Sequence, residues 1–237
     1  MTLAHKRAVK AYTDSFAVPG DAARRAAAAD LFAPDAVFHV CHPFNDIHGV
    51  DAYFDQFIAP LSQAMTGLVR RDDILMGGTF EGGDWVTSHG NYLGHFAQDV
   101  LGLTAPGRLE YLRVGEFHRF EGDRIVESYI YLDLPQLMIA TGQWPITDSP
   151  GRDRGYTGLI MGPASQDGLL LHDTDPEAGQ RSYQIVTDML SGLATPDEAW
   201  RPYWHDNMVW YGPAAFGSFV GIDHFAGFQV PFENAFS

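Results

Sequence analysis

The sequence holds a single cysteine, Cys41, among 237 residues. That scarcity removes an internal disulfide and any multi-cysteine metal site from consideration. A lone cysteine in an apolar strand is ordinarily a small buried side chain, and a reducing, cytoplasmic setting is expected. Positive charge is short as well: 15 Lys and Arg stand against 30 Asp and Glu, a net charge of −15. Such a surface repels phosphate backbones and anionic headgroups, and no stretch gathers enough Lys or Arg to reverse this locally. Neither nucleic acid nor a membrane is an expected partner. No apolar run is long enough to span a bilayer, and Met1 to Arg7 has no apolar core of signal-peptide length. No Gly-x-Ser-x-Gly elbow, no glycine-rich phosphate loop after a strand and no histidine pair at i, i+4 occurs. Serine nucleophiles, phosphate cradles and helical zinc sites therefore lack their signatures, and no metal is expected.

What is present is enough apolar material, 46 % of residues, for one large or two small cores. An internal repeat organises it. Gly49-Val50-Asp51-Ala52-Tyr53 falls on Gly221-Ile222-Asp223-His224-Phe225 at an offset of 172 residues, which also pairs Phe32 with Trp204, Val37 with Val209 and Phe38 with Trp210. The Ala-rich segment from Lys6 to Phe32, broken at Pro19-Gly20-Asp21, predicts helices over about 3–16 and 21–32. Ala36 to Val40 predicts a short strand and Asp51 to Ala64 a helix. Turn signals at Gly82-Gly83, Pro106-Gly107 and Glu121-Gly122-Asp123 then divide four antiparallel strands, about 69–80, 84–98, 108–120 and 124–132. The expected fold is α+β: residues 1–142 as a conical barrel of helices packed on a curled antiparallel sheet, 143–176 as a linker, and 177–237 as an incomplete second unit. Without a sheet to cover them, Trp204, Trp210, Phe225, Phe228 and Phe232 would form an exposed apolar patch, to be covered by a homodimer partner or by residues beyond Ser237.

The strand from Ile125 alternates, placing Glu127, Tyr129, Tyr131 and Asp133 on one face. If that face points into the cone, burial raises the carboxyl pKa and suits Asp133 to removing and returning a proton near neutral pH. The competing reading is that Asp133, standing before Leu134-Pro135, caps the next helix. Of ten histidines, His39, His42, His89, His95 and His118 fall on strands or strand ends of the first unit, and most are expected to be structural. Trp85, Tyr92, Phe96, Phe117, Tyr129 and Tyr131 suit either core or a pocket for a flat apolar ligand.

These residues resemble a known family, the SnoaL-like polyketide cyclases of the nuclear transport factor 2-like superfamily. Gly94-His95-Phe96 followed by Gly102-Leu103-Thr104-Ala105-Pro106-Gly107-Arg108 is similar to the family's G-T-H-x-G … G-I-P-P-T-G-K stretch. His118-Arg119-Phe120-Glu121-Gly122-Asp123-Arg124-Ile125-Val126-Glu127 is similar to h-R-f-x-d-G-K-I-v-E, and Tyr129-x-x-x-Asp133 to W-x-x-x-D. Leu137 to Gly142 is similar to l-l-x-Q-L-G. The likeness covers about residues 20–142, and Trp204 to Pro213 resembles the start of the second unit in tandem members. The resemblance implies a conical α+β barrel, no cofactor, and Asp133 as acid/base in an intramolecular aldol ring closure, with His118 or His95 stabilising the oxyanion. Under it, His39, Phe54, Trp85, Tyr129 and Tyr131 would line the site for a small apolar carbonyl compound. Three roles stay open: a cofactor-independent acid/base enzyme, a small-molecule-binding module without turnover, and a structural unit.

Overall fold

In the computed structural model the described residues are 3–146, 151, 167–173, 175–193 and 197–235. They fall into two compact units, Met1–Pro145 with Pro163–Thr174, and Ile146–Gly162 with Asp175–Ser237.

The first unit is α+β. Helices α1 (Leu3–Asp14) and α2 (Asp21–Leu31) lead into strands β1 (Phe32–Val40) and β2 (Asn45–His48). Then α3 (Val50–Tyr53), a π-helical turn (Phe54–Ile58) and α4 (Ala59–Ala64) run on without a break. Strands β3 (Met65–Phe80), β4 (Gly83–Phe96), β5 (Arg108–Glu121) and β6 (Arg124–Leu132) form the long antiparallel meander, and α5 (Leu134–Ala140) follows it. The sheet order is β2-β1-β6-β5-β4-β3-β7, where β7 is Gly168–Leu169. Only β1 with β6 and β3 with β7 run parallel. The expected linker over 143–176 lies largely outside the described residues, and β7 is part of what remains; its backbone pairs with Ile74 and Leu75.

Local chemistry accounts for the corners. Glu81 and Gly82 both take positive φ, 49° and 76°, as a two-residue hairpin that matches strand twist requires. Gly122, at φ 60°, does the same between β5 and β6. Ladder irregularities at Thr66/Val69, Asp72/Ile74, Arg119/Phe120 and Phe32/Val37 bend the long strands and curl the sheet. The helices then bury the curled face with Val9, Tyr12, Phe16, Phe32, Phe38, Tyr53, Phe57 and Ile58 against Leu75, Val86, Tyr92, Phe96, Leu112, Val114 and Ile130. A fully buried Phe or Tyr contributes about 2–3 kcal/mol by leaving water, so these rings account for most of the helix docking.

The second unit contains α6 (Pro176–Gly192), a 3₁₀ turn (Arg201–Tyr203), strands β8 (Val209–Tyr211) and β9 (Ser218–Val220), and α7 (Ile222–Asn234). Asp175 caps α6 by accepting from the backbone N–H groups of Glu177 and Ala178. The expected exposed patch is corrected here. Phe225 is buried with Trp200, Met208, Phe219 and Ile222, and Trp204, Trp210 and Phe228 pack on that cluster; of the five, Phe232 alone is exposed. The rings satisfy one another because α7 folds back over the β8–β9 hairpin.

The two hairpins share one register. Val37, Phe38 and His39 pair with His48, Ile47 and Asp46; Val209, Trp210 and Tyr211 pair with Val220, Phe219 and Ser218. Each strand pair is followed by a glycine at φ 88° (Gly49) or 81° (Gly221), whose N–H donates to Ala36 or Met208. All these positions are separated by 172 residues.

Gly90 on β4 has no room for a side chain, since a Cβ would stand 2.1 Å from the Arg71 carbonyl oxygen, whereas a Cβ at Gly115 meets nothing within 4 Å. Gly90→Ala is expected to cost about 1–3 kcal/mol, and Gly115→Ala less than about 0.5 kcal/mol. Urea midpoints of the two variants check this, and equal midpoints would show that β3 can retreat from β4 without strain.

Candidate functional site

The pairing of β5 with β6 decides which side chains enter the cone. His118 stands opposite Ser128, and Glu116 opposite Ile130. All four are buried on the helix-facing side, with His118 at ring-contact distance from Phe32 (5.9 Å between centroids). The alternating neighbours Glu127, Tyr129 and Tyr131 therefore point away from the helices. Tyr131 is 59 % exposed and meets only the edge of Phe117, itself 45 % exposed. The expected orientation of that wall is thus reversed. Alternation separates the two faces of a strand but does not say which one the helices cover.

Inside, the ionisable groups form one network. Arg70 on β3 is 1 % exposed at its side chain and donates from Nε to Asp72 Oδ1 (2.8 Å). Its Nη2 lies 3.1 Å from Glu116 Oε2 and 3.3 Å from Ser88 Oγ. The Tyr92 ring lies beneath the guanidinium, 5.0 Å from centroid to Cζ. Ser88 donates to Glu116 Oε2 (2.9 Å) and Tyr92 to Oε1 (3.5 Å). Thr13, from α1, donates to Asp72 Oδ2 (2.5 Å). Burial by itself works against the Arg70 cation, but Glu116 and Asp72 outweigh it and push its pKa further up. The Tyr12, Tyr53 and Tyr92 phenols are held well above their ordinary pKa, first by burial. They are neutral hydroxyls here. Tyr12 and Tyr53 lie oxygen to oxygen at 3.5 Å.

His118 completes the group. Its Nδ1 is 2.9 Å from Ser128 Oγ, while its Nε2, 3.9 Å from Glu116 Oε2, has no hydrogen-bond partner. Burial lowers its pKa, with Arg70 adding to this and Glu116 opposing it, so the ring is neutral near pH 7.

The other expected residues lie elsewhere. Asp133 follows β6 opposite Arg113, its N–H donating to the Arg113 carbonyl (3.0 Å). It occupies the N-cap position of α5 without a side-chain cap bond there. Its carboxylate offsets part of the burial that lowers the Arg113 pKa. Leu132 and Val114 are paired on the helix-facing side, which places Asp133 and Arg113 on the opposite face from His118. His95 is exposed on β4, and its alternation with buried Tyr92, Gly94 and Phe96 puts it on that outer face too. Phe54 is core, 1 % exposed, with the Arg25 guanidinium over its ring at 4.2 Å; the π-helical turn gives the interior position to its neighbour Tyr53, stacked on Phe38 at 4.0 Å. His39, Tyr129 and Trp85 do assemble, but on the outer face, with centroids 4.6 Å and 6.2 Å apart in sequence along the row. His39 is held there by Asp46 (2.8 Å) and Glu127 (3.3 Å). Burial alone would lower its pKa, and these two carboxylates reverse the balance and raise it. Arg119 Nε, 2.7 Å from Glu127, keeps that carboxyl below its usual pKa.

Arg70, Glu116, Ser88 and Tyr92 were missed by the sequence reading. The signal was available in β5, where Glu116 and His118 alternate with Val114 and Phe120. Among the described residues no group of three His, Cys, Asp or Glu could hold a metal ion, and no helix is long and apolar enough to cross a membrane.

Residues 9–128 match the family of SnoaL-like domains. No curated protein matches the sequence. Among solved structures, AclR from Streptomyces galilaeus, named as a hydroxylase, is similar at TM-score 0.50 and 15 % identity, over 60 % of this chain and 83 % of its own. At that identity the likeness speaks for the fold alone. A protein from Jannaschia sp. CCS1 named as a SnoaL-like polyketide cyclase reaches TM-score 0.49 at 18 % identity, over 62 % of this chain and 95 % of its own. IdmH from Streptomyces antibioticus, named as a polyketide cyclase, reaches 0.48 at 17 % identity, over 58 % and 98 %.

The two buried-side histidine environments predict opposite pH behaviour. An imidazole with a raised folded pKa stabilises the fold fully below its unfolded value, about 6.5, and loses that contribution as pH rises through the folded value. This is His39. For His118 the unfolded chain takes up a proton that the buried ring refuses, so stability falls as pH drops below about 6.5. NMR titration is expected to place the His39 midpoint above the ordinary value and that of His118 below it, and His118→Gln is expected to flatten the acid-side loss of stability. Coincident midpoints would contradict both environments.

Proposed function

We propose, because the chain belongs to the family of SnoaL-like domains, that its first unit is an acid/base catalyst of the cyclase or isomerase type acting on a small apolar carbonyl compound. One observation carries the choice of residue: His118 Nε2 is buried without a hydrogen-bond partner, beside Glu116, in the middle of an apolar core. An unsatisfied buried polar atom costs about 1–3 kcal/mol, and a proton-transfer role explains why the ring is kept neutral and unpaired there. In this reading Nδ1 donates to Ser128 and fixes the tautomer, and Nε2 takes a proton from the methylene beside a carbonyl. Glu116 then faces the new imidazolium. The enolate carbon attacks a second carbonyl of the same molecule, closing a ring by aldol chemistry, and Nε2–H returns the proton to the alkoxide. In an isomerisation the proton returns to a different carbon.

The resemblance assigned this role to Asp133. Its place on the face away from His118 favours His118 as the base, with Asp133 serving Arg113 and the start of α5. A binding module without turnover is the second reading, favoured by the ring contacts that crowd the interior: Phe32 with His118, and Tyr53 with Phe38 and Phe57. We further propose that the second unit is a partial copy of the first, a tandem arrangement supported by the common hairpin register and by Gly49 and Gly221 at matching positions. Among the described residues it has no counterpart of β3 to β6, so the chemistry is assigned to the first unit.

The test needs no natural substrate. Deuterium uptake at the α-methylene of 1-tetralone in D₂O, followed by NMR, is expected to be accelerated by the protein and reduced about 10²-fold or more in His118→Gln. Asp133→Asn is expected to change it by less than about threefold. Loss of exchange in Asp133→Asn with His118→Gln active would return the base to Asp133, and binding of the ketone without exchange would favour the binding module.

A further inference from the structure

Arg70 is held on three sides and open on one. Nε is given to Asp72, and Nη2 to Glu116 and Ser88, whereas Nη1 is buried and has no hydrogen-bond partner. Arg70 cannot shed its proton to escape this, because guanidinium stays charged in proteins and both nearby carboxylates reinforce it. The position of the open nitrogen relative to His118 is set by a shared neighbour. Glu116 Oε2 lies 3.1 Å from Arg70 Nη2 and 3.9 Å from His118 Nε2, so the two unsatisfied groups flank one carboxylate oxygen. One is a pure donor and the other, in its neutral form, a proton acceptor. A carbonyl compound losing an α-proton needs that combination: an acceptor for the proton, and a donor for the oxygen on which negative charge develops.

We propose that Arg70 is a catalytic residue, whose Nη1 donates to the carbonyl oxygen of the substrate and stabilises the enolate formed when His118 takes the α-proton. The inference rests on the acid/base reading of His118 and adds the substrate class: ketones or β-keto esters whose enolisable carbon is adjacent to the carbonyl that Arg70 holds. The C–H bond breaks, its electron pair forms the C=C bond of the enolate, and the carbonyl π pair moves to oxygen beside Nη1. The proton ends on Nε2. Total charge inside the cone is unchanged by this step, because the substrate gains one negative charge as His118 gains one positive. Each new charge has its own resident partner, Arg70 for the enolate and Glu116 for the imidazolium. Asp72, anchored by Thr13, prevents the guanidinium from turning to pair both its ends with Glu116.

The test uses 4-nitrophenol, whose phenolate mimics the enolate and reports its own ionisation by absorbance. Wild-type protein is expected to bind the phenolate at least about tenfold more tightly than the phenol, lowering the apparent pKa of the bound dye. Arg70→Met alone would strand Glu116, so it is made on a Glu116→Gln background and compared with Glu116→Gln. The single variant is expected to keep the preference for phenolate and the double variant to lose it. Arg70→Lys, which keeps charge but not the planar fork, is expected to fall between wild type and the double variant, and serves as the readout if the double variant does not fold. Failure of the wild type to bind 4-nitrophenolate, or an equal preference in the Arg70 variants and their Arg70-containing controls, would overturn the proposal. Because the dye is not turned over, a lost phenolate preference with intact α-exchange removes Arg70 only. An intact preference with no α-exchange removes the acid/base reading and leaves an anion-binding arginine.

Discussion

The constraint on which the first unit depends is the burial of the Arg70 guanidinium under the helices. A cation in an apolar core is tolerated only when its partners are supplied with good geometry, and removing one partner of such a pair typically costs about 3–5 kcal/mol. Here the partners come from different parts of the chain: Asp72 from the same strand, Ser88 and Tyr92 from β4, Glu116 from β5. Asp72 is in turn tied to α1 through Thr13. The irregularity between Asp72 and Ile74, opposite the side-chain-free backbone of Gly90, brings β3 close enough to β4 for this to happen. Register, curl and helix docking are thus coupled through one side chain, and a slip of one residue in β3 would turn Arg70 outward and leave Glu116 buried without its cation.

Much of the fold was legible because its signals are local. The four long strands begin and end within a few residues of the turn residues that predict them, and the helices within two or three of their Pro-Gly and Asp signals. The site was legible only in part, for a reason visible in β6. Alternation correctly separates Glu127, Tyr129 and Tyr131 from Ser128 and Ile130, but both faces carry chemistry-bearing residues, and only the docking of α1, α2 and the 50–64 helices decides which one is inside. Aromatic content pointed the wrong way, because Tyr129 with His39 and Trp85 makes a ring row on the outer face. Similarly, the apolar run at 53–58 does not reveal a π-helical turn, and one residue of helical phase separates Tyr53 in the interior from Phe54 under Arg25.

The hairpin that occurs in both units is explained by a single backbone requirement. The glycine after β2, and its equivalent after β9, takes positive φ, donates to a carbonyl of the preceding strand and begins the next helix. At Gly49 a side chain would in addition press on the Pro34 carbonyl at 3.2 Å. The same solution at Gly221 brings Trp210 and Phe219 against Phe225 and Phe228, much as Phe38 is brought against Tyr53. The strand-to-helix corner is therefore what the sequence similarity at an offset of 172 residues records: its Gly-x-Asp signature is backbone chemistry, and the aromatic that follows is the first core residue the corner delivers.

Polar groups inside the first unit differ from those outside in the direction in which their surroundings move them. On the outer face, the carboxylates around His39 favour its charged form, and Arg119 favours the charge on Glu127; these are solvated ion pairs that titrate independently of the core. In the interior, burial keeps Tyr12, Tyr53, Tyr92 and His118 neutral, and permanent charge is confined to Arg70 and its carboxylates. A neutral imidazole set between a fixed cation and a fixed anion can accept a proton without any change in the net charge that the core must hold, provided the donor of that proton stays bound. That condition is what separates this cluster from a merely structural ion pair, which would need only Arg70, Asp72 and Glu116 and would gain nothing from a buried histidine left one hydrogen bond short.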